Sequence, residues 1–231
     1  MVLEGLFVLT EFIFMLTRSD VTVSNALEVL EEVKGTGLRC VGCKDVGLDR
    51  GLYADLFERM RGYGMRSFLE IVTYDEGEHF RGIDLGLEIG ADYIIGGMPE
   101  YSVKTMEYLR ARKGGTKFFP YIGEIAEHPC VLRGSIDEII EDGREAERLG
   151  VDGVNLLLYR YEGDQRTLLE EVVSKLRLPL LVAGNISSFE MIGEMKRNDV
   201  WAFTIGSAVF RGEFAEGRGV ADQIRAVLGA L

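Results

Sequence analysis

Eight short apolar runs at near-even spacing, an amphipathic stretch in each interval and glycine-bearing junctions after the last two runs predict an α/β fold. The specific expectation is a (β/α)8 TIM barrel, a closed sheet of eight parallel strands. The 231 residues suit a single domain spanning 1–231, since such barrels commonly run as one unit at this length. Apolar residues make up 47% and charged residues 28%, enough to fill a core and too apolar for a disordered chain.

The strands are read, in order, at Phe12–Leu16, Cys40–Lys44, Ser67–Val72, Tyr93–Ile95, Phe118–Ile122, Val154–Leu158, Leu180–Ala183 and Ala202–Ile205. Their centres are separated by 28, 27, 25, 26, 36, 26 and 22 residues. Each interval holds one helix, the crossover that parallel neighbours require. An open doubly wound sheet is the alternative. The even spacing and the lack of a dinucleotide fingerprint favour the closed barrel.

The helices follow from periodicity and punctuation. Ala26, Leu27, Leu30 and Val33 form one stripe, with Glu28, Glu31 and Glu32 outside it, and Asp137–Leu149 repeats the pattern with Ile139, Ile140, Ala146 and Leu149. Ser135-x-x-Glu138 and Ser187-x-x-Glu190 read as capping boxes. Gly35, Gly64, Gly90 and Gly150 read as helix C-caps. The widest interval contains an extra loop, Gly123 to Gly134, that carries His128, Pro129 and Cys130. Gly96 and Gly206 align in a half-chain echo, which is either a half-barrel repeat or the ordinary likeness of parallel strands.

Composition narrows the function classes. With 38 acidic against 26 basic residues the net charge is −12, which disfavours nucleic acid as a partner. Three cysteines (Cys40, Cys43, Cys130) make no disulfide framework and suit a reducing cytoplasm. Met1 to Leu16 carries Glu4 and Glu11 and reads as chain entering a core rather than a signal peptide. No apolar run reaches the ~18 residues of a spanning helix, so no membrane partner is expected. Self-association is left open.

Sites in such barrels form where strands end and helices begin. Val182-Ala183-Gly184-Asn185-Ile186-Ser187-Ser188 and Thr204-Ile205-Gly206-Ser207-Ala208 end strands seven and eight, the usual place for a phosphate cradle. Gly184, Asn185, Gly206 and Ser207 are the candidate phosphate ligands, since glycine lets backbone N–H groups approach an anion; each glycine alone is equally a turn residue. Gly96, Gly97 and Arg18 are a candidate second anion site. Arg160 is a further candidate anion ligand, or else a solvated loop arginine.

Glu70 lies inside an apolar strand, where an outward, unpaired charge is costly, so it is expected to face the barrel interior. Lys44 ends the neighbouring strand, and the pair is the candidate acid–base couple or, equally consistent with its placement, a structural ion pair. Cys40-x-x-Cys43 lies along a strand with its side chains on opposite faces. His79 reads as a surface residue, and His128 as a loop residue or an acid/base over the mouth. No metal spacing is convincing, although Glu70 with Asp45 leaves a divalent ion open; no cofactor is expected.

The two closing segments resemble those of the ribulose-phosphate-binding barrels. In layout the chain is similar to the histidine-biosynthesis phosphoribosyl isomerase and its cyclase relative, and Tyr159-Arg160-Tyr161-Glu162-Gly163-Asp164 loosely echoes a loop of that isomerase. The resemblance spans the chain in layout and is specific over the last fifty residues. It implies a phosphate-binding barrel. That family's acid/base aspartates end strands one and five, where this chain reads Leu16-Thr17-Arg18 and Tyr121-Ile122-Gly123-Glu124. Some phosphosugar epimerases of the group use a Lys and a Glu, similar to the pair here. The expected function is a phosphosugar isomerase or epimerase acting on a phosphorylated small molecule. An aldolase or decarboxylase using Lys44, and a non-catalytic phosphate-binding barrel, are the alternatives.

Overall fold

The computed structural model describes residues 10–112, 114–127 and 130–231; His128 and residues 1–9, on which two of the expectations above rest in whole or part, lie outside them. Eight strands carry the barrel: β1 (Glu11–Met15), β2 (Cys40–Lys44), β3 (Arg66–Ile71), β4 (Tyr93–Gly96), β5 (Lys117–Phe119), β6 (Val154–Leu156), β7 (Leu180–Val182) and β8 (Ala202–Ile205). They run parallel in the hydrogen-bonded order β6-β7-β8-β1-β2-β3-β4-β5. A bridge between Tyr121 and Asn155 joins the two ends and closes the ring. That seam is thin for a physical reason. Pro120 has no N–H to give to a ladder, so β5 stops at Phe119 rather than at Ile122, and Pro120 contributes only its carbonyl, which accepts from Asn155 N at 2.8 Å.

Helices α1 (Ala26–Val33), α2 (Arg50–Gly62), α3 (Glu76–Glu88), α4 (Ser102–Ala111), α5 (Ile136–Leu149), α6 (Gln165–Lys175), α7 (Phe189–Arg197), α8 (Ser207–Arg211) and α9 (Val220–Gly229) fill the crossovers and the C-terminal segment. None is long and apolar enough to cross a membrane. The Ser135/Glu138 capping box is present, and Gly150 caps α5 in the left-handed conformation (φ +71°). Two expected caps move. Ser188, not Ser187, caps α7 by accepting from Met191 N. Gly35 is not in the left-handed region; Gly37 is, at φ +89°.

Parallel register partners share a face, so the pairings separate the inside of the barrel from the outside. Met15 pairs with Gly42, Gly42 with Phe68, and Lys44 with Glu70. The inner floor is aromatic: Phe68 stacks on Tyr93 at 4.3 Å between ring centroids, and Trp201 meets Phe119 at 4.9 Å. Gly42 makes room for this layer, since a Cβ there would lie 2.5 Å from Met15 Sδ and 3.0 Å from Phe68 Cβ. Above that apolar plug the inward positions become polar, with Lys44, Glu70 and Tyr121 side by side. The core therefore ends where the mouth begins.

Two polar residues depart from expectation. His79 is fully buried on α3, not on the surface; its Nε2 is 2.8 Å from Thr105 Oγ1 and its ring packs beside Tyr101. Burial lowers its pKa to about 4, so the ring is neutral at physiological pH. Asp45 follows inward-facing Lys44 and consequently points outward beneath α3, where a Cβ on Gly82 would lie 2.8 Å from its Oδ2. It thus lies on the opposite face from Glu70, and among the described residues no group of three or more His, Cys, Asp and Glu is placed to hold a metal.

Asp45 is half-buried, but its Oδ1 is sealed from solvent without a hydrogen-bond partner among the described residues. Burial raises its pKa to about 7. A carboxyl whose folded pKa lies above its unfolded value destabilises the fold in its charged form. The penalty is absent near pH 4, grows as pH rises, and is complete above pH 7. Asp45→Asn is accordingly expected to stabilise the protein by about 1–2 kcal/mol at pH 8 and by nothing at pH 4. Thermal melts at the two pH values check this; equal shifts at both would refute it.

Candidate active site

At the C-terminal end of the barrel a cavity of about 390 Å³ opens above Lys44 and Glu70 and is walled by Gly184, Asn185, Gly206 and Ser207, with Asp20, Tyr121, Cys130 and Arg160 completing it. The four candidate phosphate ligands and the Lys44–Glu70 pair thus share one space. Within the segment from Gly123 to Gly134, Glu124–Ala126 pairs antiparallel with Val131–Arg133, and Cys130 and Val131 reach the cavity wall.

Lys44 and Glu70 occupy one rung of the β2–β3 ladder, with Nζ 3.8 Å from Oε2. Both are nearly inaccessible, at 8% and 6% exposure. The Lys44 backbone is clamped: its N–H donates to Thr22 Oγ1 (2.9 Å), and its carbonyl accepts from Thr22 Oγ1 and Tyr53 OH (both 2.8 Å). Glu70 is fixed from the other side, where Tyr121 OH donates to Oε1 at 2.7 Å. Burial and the adjacent Glu70 carboxylate hold the Tyr121 phenol well above its ordinary pKa, so it remains a donor.

The structure adds a carboxylate that the sequence reading passed over. Thr17–Arg18 and Val21–Thr22 form a two-rung antiparallel hairpin whose loop residues, Ser19 and Asp20, both have positive φ (+52° and +62°). This is the backbone of a primed two-residue turn, and it folds Asp20 back over the mouth. Its Oδ1 lies 2.6 Å from Lys44 Nζ and 3.1 Å from Arg160 Nη2. The hairpin is tied to the cradle, because Ser19 N donates to Ser207 Oγ at 3.2 Å. The end of β1 itself carries no aspartate, yet one arrives five residues later.

Burial disfavours the Lys44 ammonium, but Glu70 and Asp20 together outweigh it and hold its pKa above the ordinary lysine value. For Asp20, burial works upward, and Lys44 with Arg160 overcomes it, leaving the carboxyl below its usual range. Arg160 is part of the cavity wall, not a solvated loop arginine. It ends the turn after β6, and its guanidinium lies against Gly184, where a Cβ would come within 3.1 Å of Arg160 Cδ, Cγ and Nε. Gly184 also has φ +86°, a second reason for glycine there.

Other candidates fall elsewhere. Gly96 and Gly97 do not line the cavity, and Arg18 is exposed outside it. A Cβ on Gly96 would lie 2.6 Å from Ile71 O, and one on Gly97 would lie 2.6 Å from His79 Cε1. Gly97 N already donates to Ile71 O. These glycines turn the chain against packed neighbours and do not share the cavity with Gly184 and Gly206. The two aligned glycines differ in backbone, Gly96 at φ +78° and Gly206 at −122°. Gly206 itself is needed for close packing of the hairpin: a Cβ there would lie 2.6 Å from Thr17 Oγ1.

No family model matches the sequence, and no curated protein matches it. Solved structures match its fold. A structure described as native KDPGal superposes with a TM-score of 0.65 at 13% identity, covering 95% of this chain and 93% of that one. The N-acetylmannosamine-6-phosphate 2-epimerase from Clostridium perfringens gives 0.62 at 16% identity over 86% of each chain. Phosphoribosylanthranilate isomerase from Thermotoga maritima gives 0.62 at 11%, covering 96% of this chain and 98% of that one. At such identities the likeness is one of fold. The chain is a (β/α)8 TIM barrel, and what it does must be argued from its own mouth.

Proposed function

We propose that this barrel is a phosphosugar isomerase or epimerase. The reading rests on one observation: a buried ammonium and a buried carboxylate share a rung at the floor of a cavity whose rim is the glycine-bearing ends of β7 and β8. Phosphate on the Gly184–Asn185 and Gly206–Ser207 segments holds one end of the substrate over the pair. Glu70, steadied by Tyr121, takes a proton from the carbon beside the substrate carbonyl. Lys44, as ammonium, stabilises the negative charge that develops on the carbonyl oxygen. For isomerisation it passes a proton to that oxygen and recovers one from the neighbouring hydroxyl, while Glu70 returns its proton to the neighbouring carbon. For epimerisation Glu70 returns its proton to the original carbon after the planar intermediate has turned its other face to it. Two neighbours in fold, the epimerase and the isomerase named above, are in keeping with this class of chemistry. An imine-forming lyase needs a free amine at Lys44, and the two carboxylates beside it favour the protonated form.

The test is exchange. A panel of sugar phosphates incubated with the protein in deuterated water is expected to yield substrate carrying deuterium at the carbon beside the carbonyl. A borohydride-trapped adduct on Lys44 would replace this reading with the lyase. Phosphate binding without exchange or adduct would leave a binding barrel.

The cradle has its own check. Gly206→Asp is a poor probe because its Cβ collides with the hairpin. Ser207→Asp brings a negative charge to the rim while keeping an acceptor for Ser19 N–H. It is expected to weaken phosphate binding at least ~10-fold by calorimetry, as like charges brought together do; unchanged affinity would move the phosphate elsewhere.

A further inference from the structure

The geometry points to a substrate that carries a carboxylate as well as a phosphate, with the Asp20 carboxylate occupying the Arg160 position until that group displaces it. The inference rests on the proposed phosphate cradle for the substrate's other end and extends that reading to the class of phosphorylated sugar acids that carry an aldehyde or ketone beside the reacting carbon.

Three observations carry it. First, the Asp20 carboxylate lies inside the cavity between its two deepest cations, where a ligand anion of the same shape fits. Second, it is loosely seated on Arg160. The Nη2 contacts are 3.1 and 3.4 Å and the Nη1 contact 3.5 Å, against about 2.7–2.9 Å for a well-formed charge-assisted fork. Arg160 Nη1 also donates to the Cys130 carbonyl at 3.2 Å, so the guanidinium stays in place when its carboxylate partner changes. Third, Asp20 sits on a hairpin tip of only two rungs, with two consecutive non-glycine residues in left-handed backbone that side chains disfavour. The group that occupies the fork is thus carried on a short hairpin tip, where, apart from Asp20's own contacts, the tie to the barrel is the 3.2 Å hydrogen bond from Ser19 N to Ser207 Oγ.

Exchange also suits the chemistry. With Asp20 in place its charge and that of Glu70 balance Lys44 and Arg160. When Asp20 swings out, the three remaining residues carry one positive charge in excess, matching one incoming carboxylate. Lys44 simultaneously loses its 2.6 Å partner and becomes available to the reacting oxygen. A substrate without the carboxylate leaves Asp20 seated and Lys44 engaged, so the exchange discriminates between substrates as well as binding them.

Calorimetry with a matched pair tests this. Glycerol 3-phosphate and 3-phosphoglycerate differ only in a hydroxymethyl against a carboxylate, and glycerate is the carboxylate without the phosphate. Asp20→Asn keeps a residue that favours the primed turn and removes the competing charge. It is expected to tighten 3-phosphoglycerate at least tenfold more than glycerol 3-phosphate. Arg160→Gln, made in the wild-type background, is expected to erase the preference between the two phosphates. Equal gains for both ligands in Asp20→Asn, or a loss for 3-phosphoglycerate alone, would overturn the exchange while leaving the cradle intact. Glycerate tightened by Asp20→Asn while glycerol 3-phosphate fails to bind would uphold the exchange and overturn the cradle. Binding of none of the three to either protein would overturn both.

Discussion

Lys44→Ala and Glu70→Gln are each expected to lower turnover of the exchanging phosphosugar by on the order of 10²–10⁴, the usual span for an acid–base group. The two losses are predicted to arise differently. Glu70→Gln keeps the acceptor for Tyr121 OH and the shape of the floor but removes the base, so proton exchange with deuterated water fails along with turnover. Lys44→Ala keeps the base and removes the charge that stabilises the developing oxyanion, so a slow exchange persists while net conversion is lost. The pH profile separates them further. Lys44 acts in its protonated form and its pKa is held above the ordinary lysine value, so activity should persist through neutral pH and fall only in strongly alkaline solution. Removing Asp20 takes away one of the two carboxylates that hold the pKa up in the free protein, and the alkaline limb of kcat/KM should then move to lower pH. An alkaline limb unmoved by Asp20→Asn would mean that another group controls it.

Much of this site was legible in the sequence because its residues violate the local pattern. A glutamate inside Phe68-Leu69-Glu70-Ile71-Val72 has only one inexpensive place to point, and strand alternation assigns the floor of the barrel to it and its neighbour Lys44. The eight strands were legible for the same reason: runs of apolar residues between caps define them, and the pairing follows from chain order. Asp20 was not legible. Reaching the mouth required two consecutive non-glycine residues with positive φ, and Ser-Asp lacks the glycine that usually announces such a turn. The hint available was the β-branched bracket of Thr17 and Val21-Thr22 around a Ser-Asp pair. His79 misled because a histidine at the start of a helix reads as surface, and only the packing of α3 against the Gly96–Gly97 turn and Thr105 buries it. Gly96 and Gly97 misled in the opposite sense, since a glycine required by a close neighbour reads the same in sequence as one required by a ligand.

Replacing the buried polar rung by apolar side chains should make the protein more stable than its single variants and inactive at once. Lys44→Met alone strands Glu70, 6% exposed, with Tyr121 as its remaining hydrogen-bond donor. Leaving one partner of a buried ion pair uncompensated costs roughly 3–5 kcal/mol. Glu70→Leu alone should cost less, because Lys44 keeps Asp20 at 2.6 Å, but it takes the acceptor from Tyr121 OH, a loss of about 1–3 kcal/mol. The triple variant Lys44→Met, Glu70→Leu, Tyr121→Phe removes every member of the rung together, and Asp20 keeps Arg160. Well-packed apolar replacements of buried ion pairs are often neutral or stabilising by about 1–4 kcal/mol. Urea denaturation should therefore place the triple variant at or above the wild type and well above Lys44→Met, with no proton exchange in any sugar phosphate. That combination marks a polar floor retained for chemistry at the expense of stability, as active sites commonly are. A triple variant less stable than Lys44→Met would instead make the rung a structural element of the barrel, and the proton-transfer reading would lose its principal support.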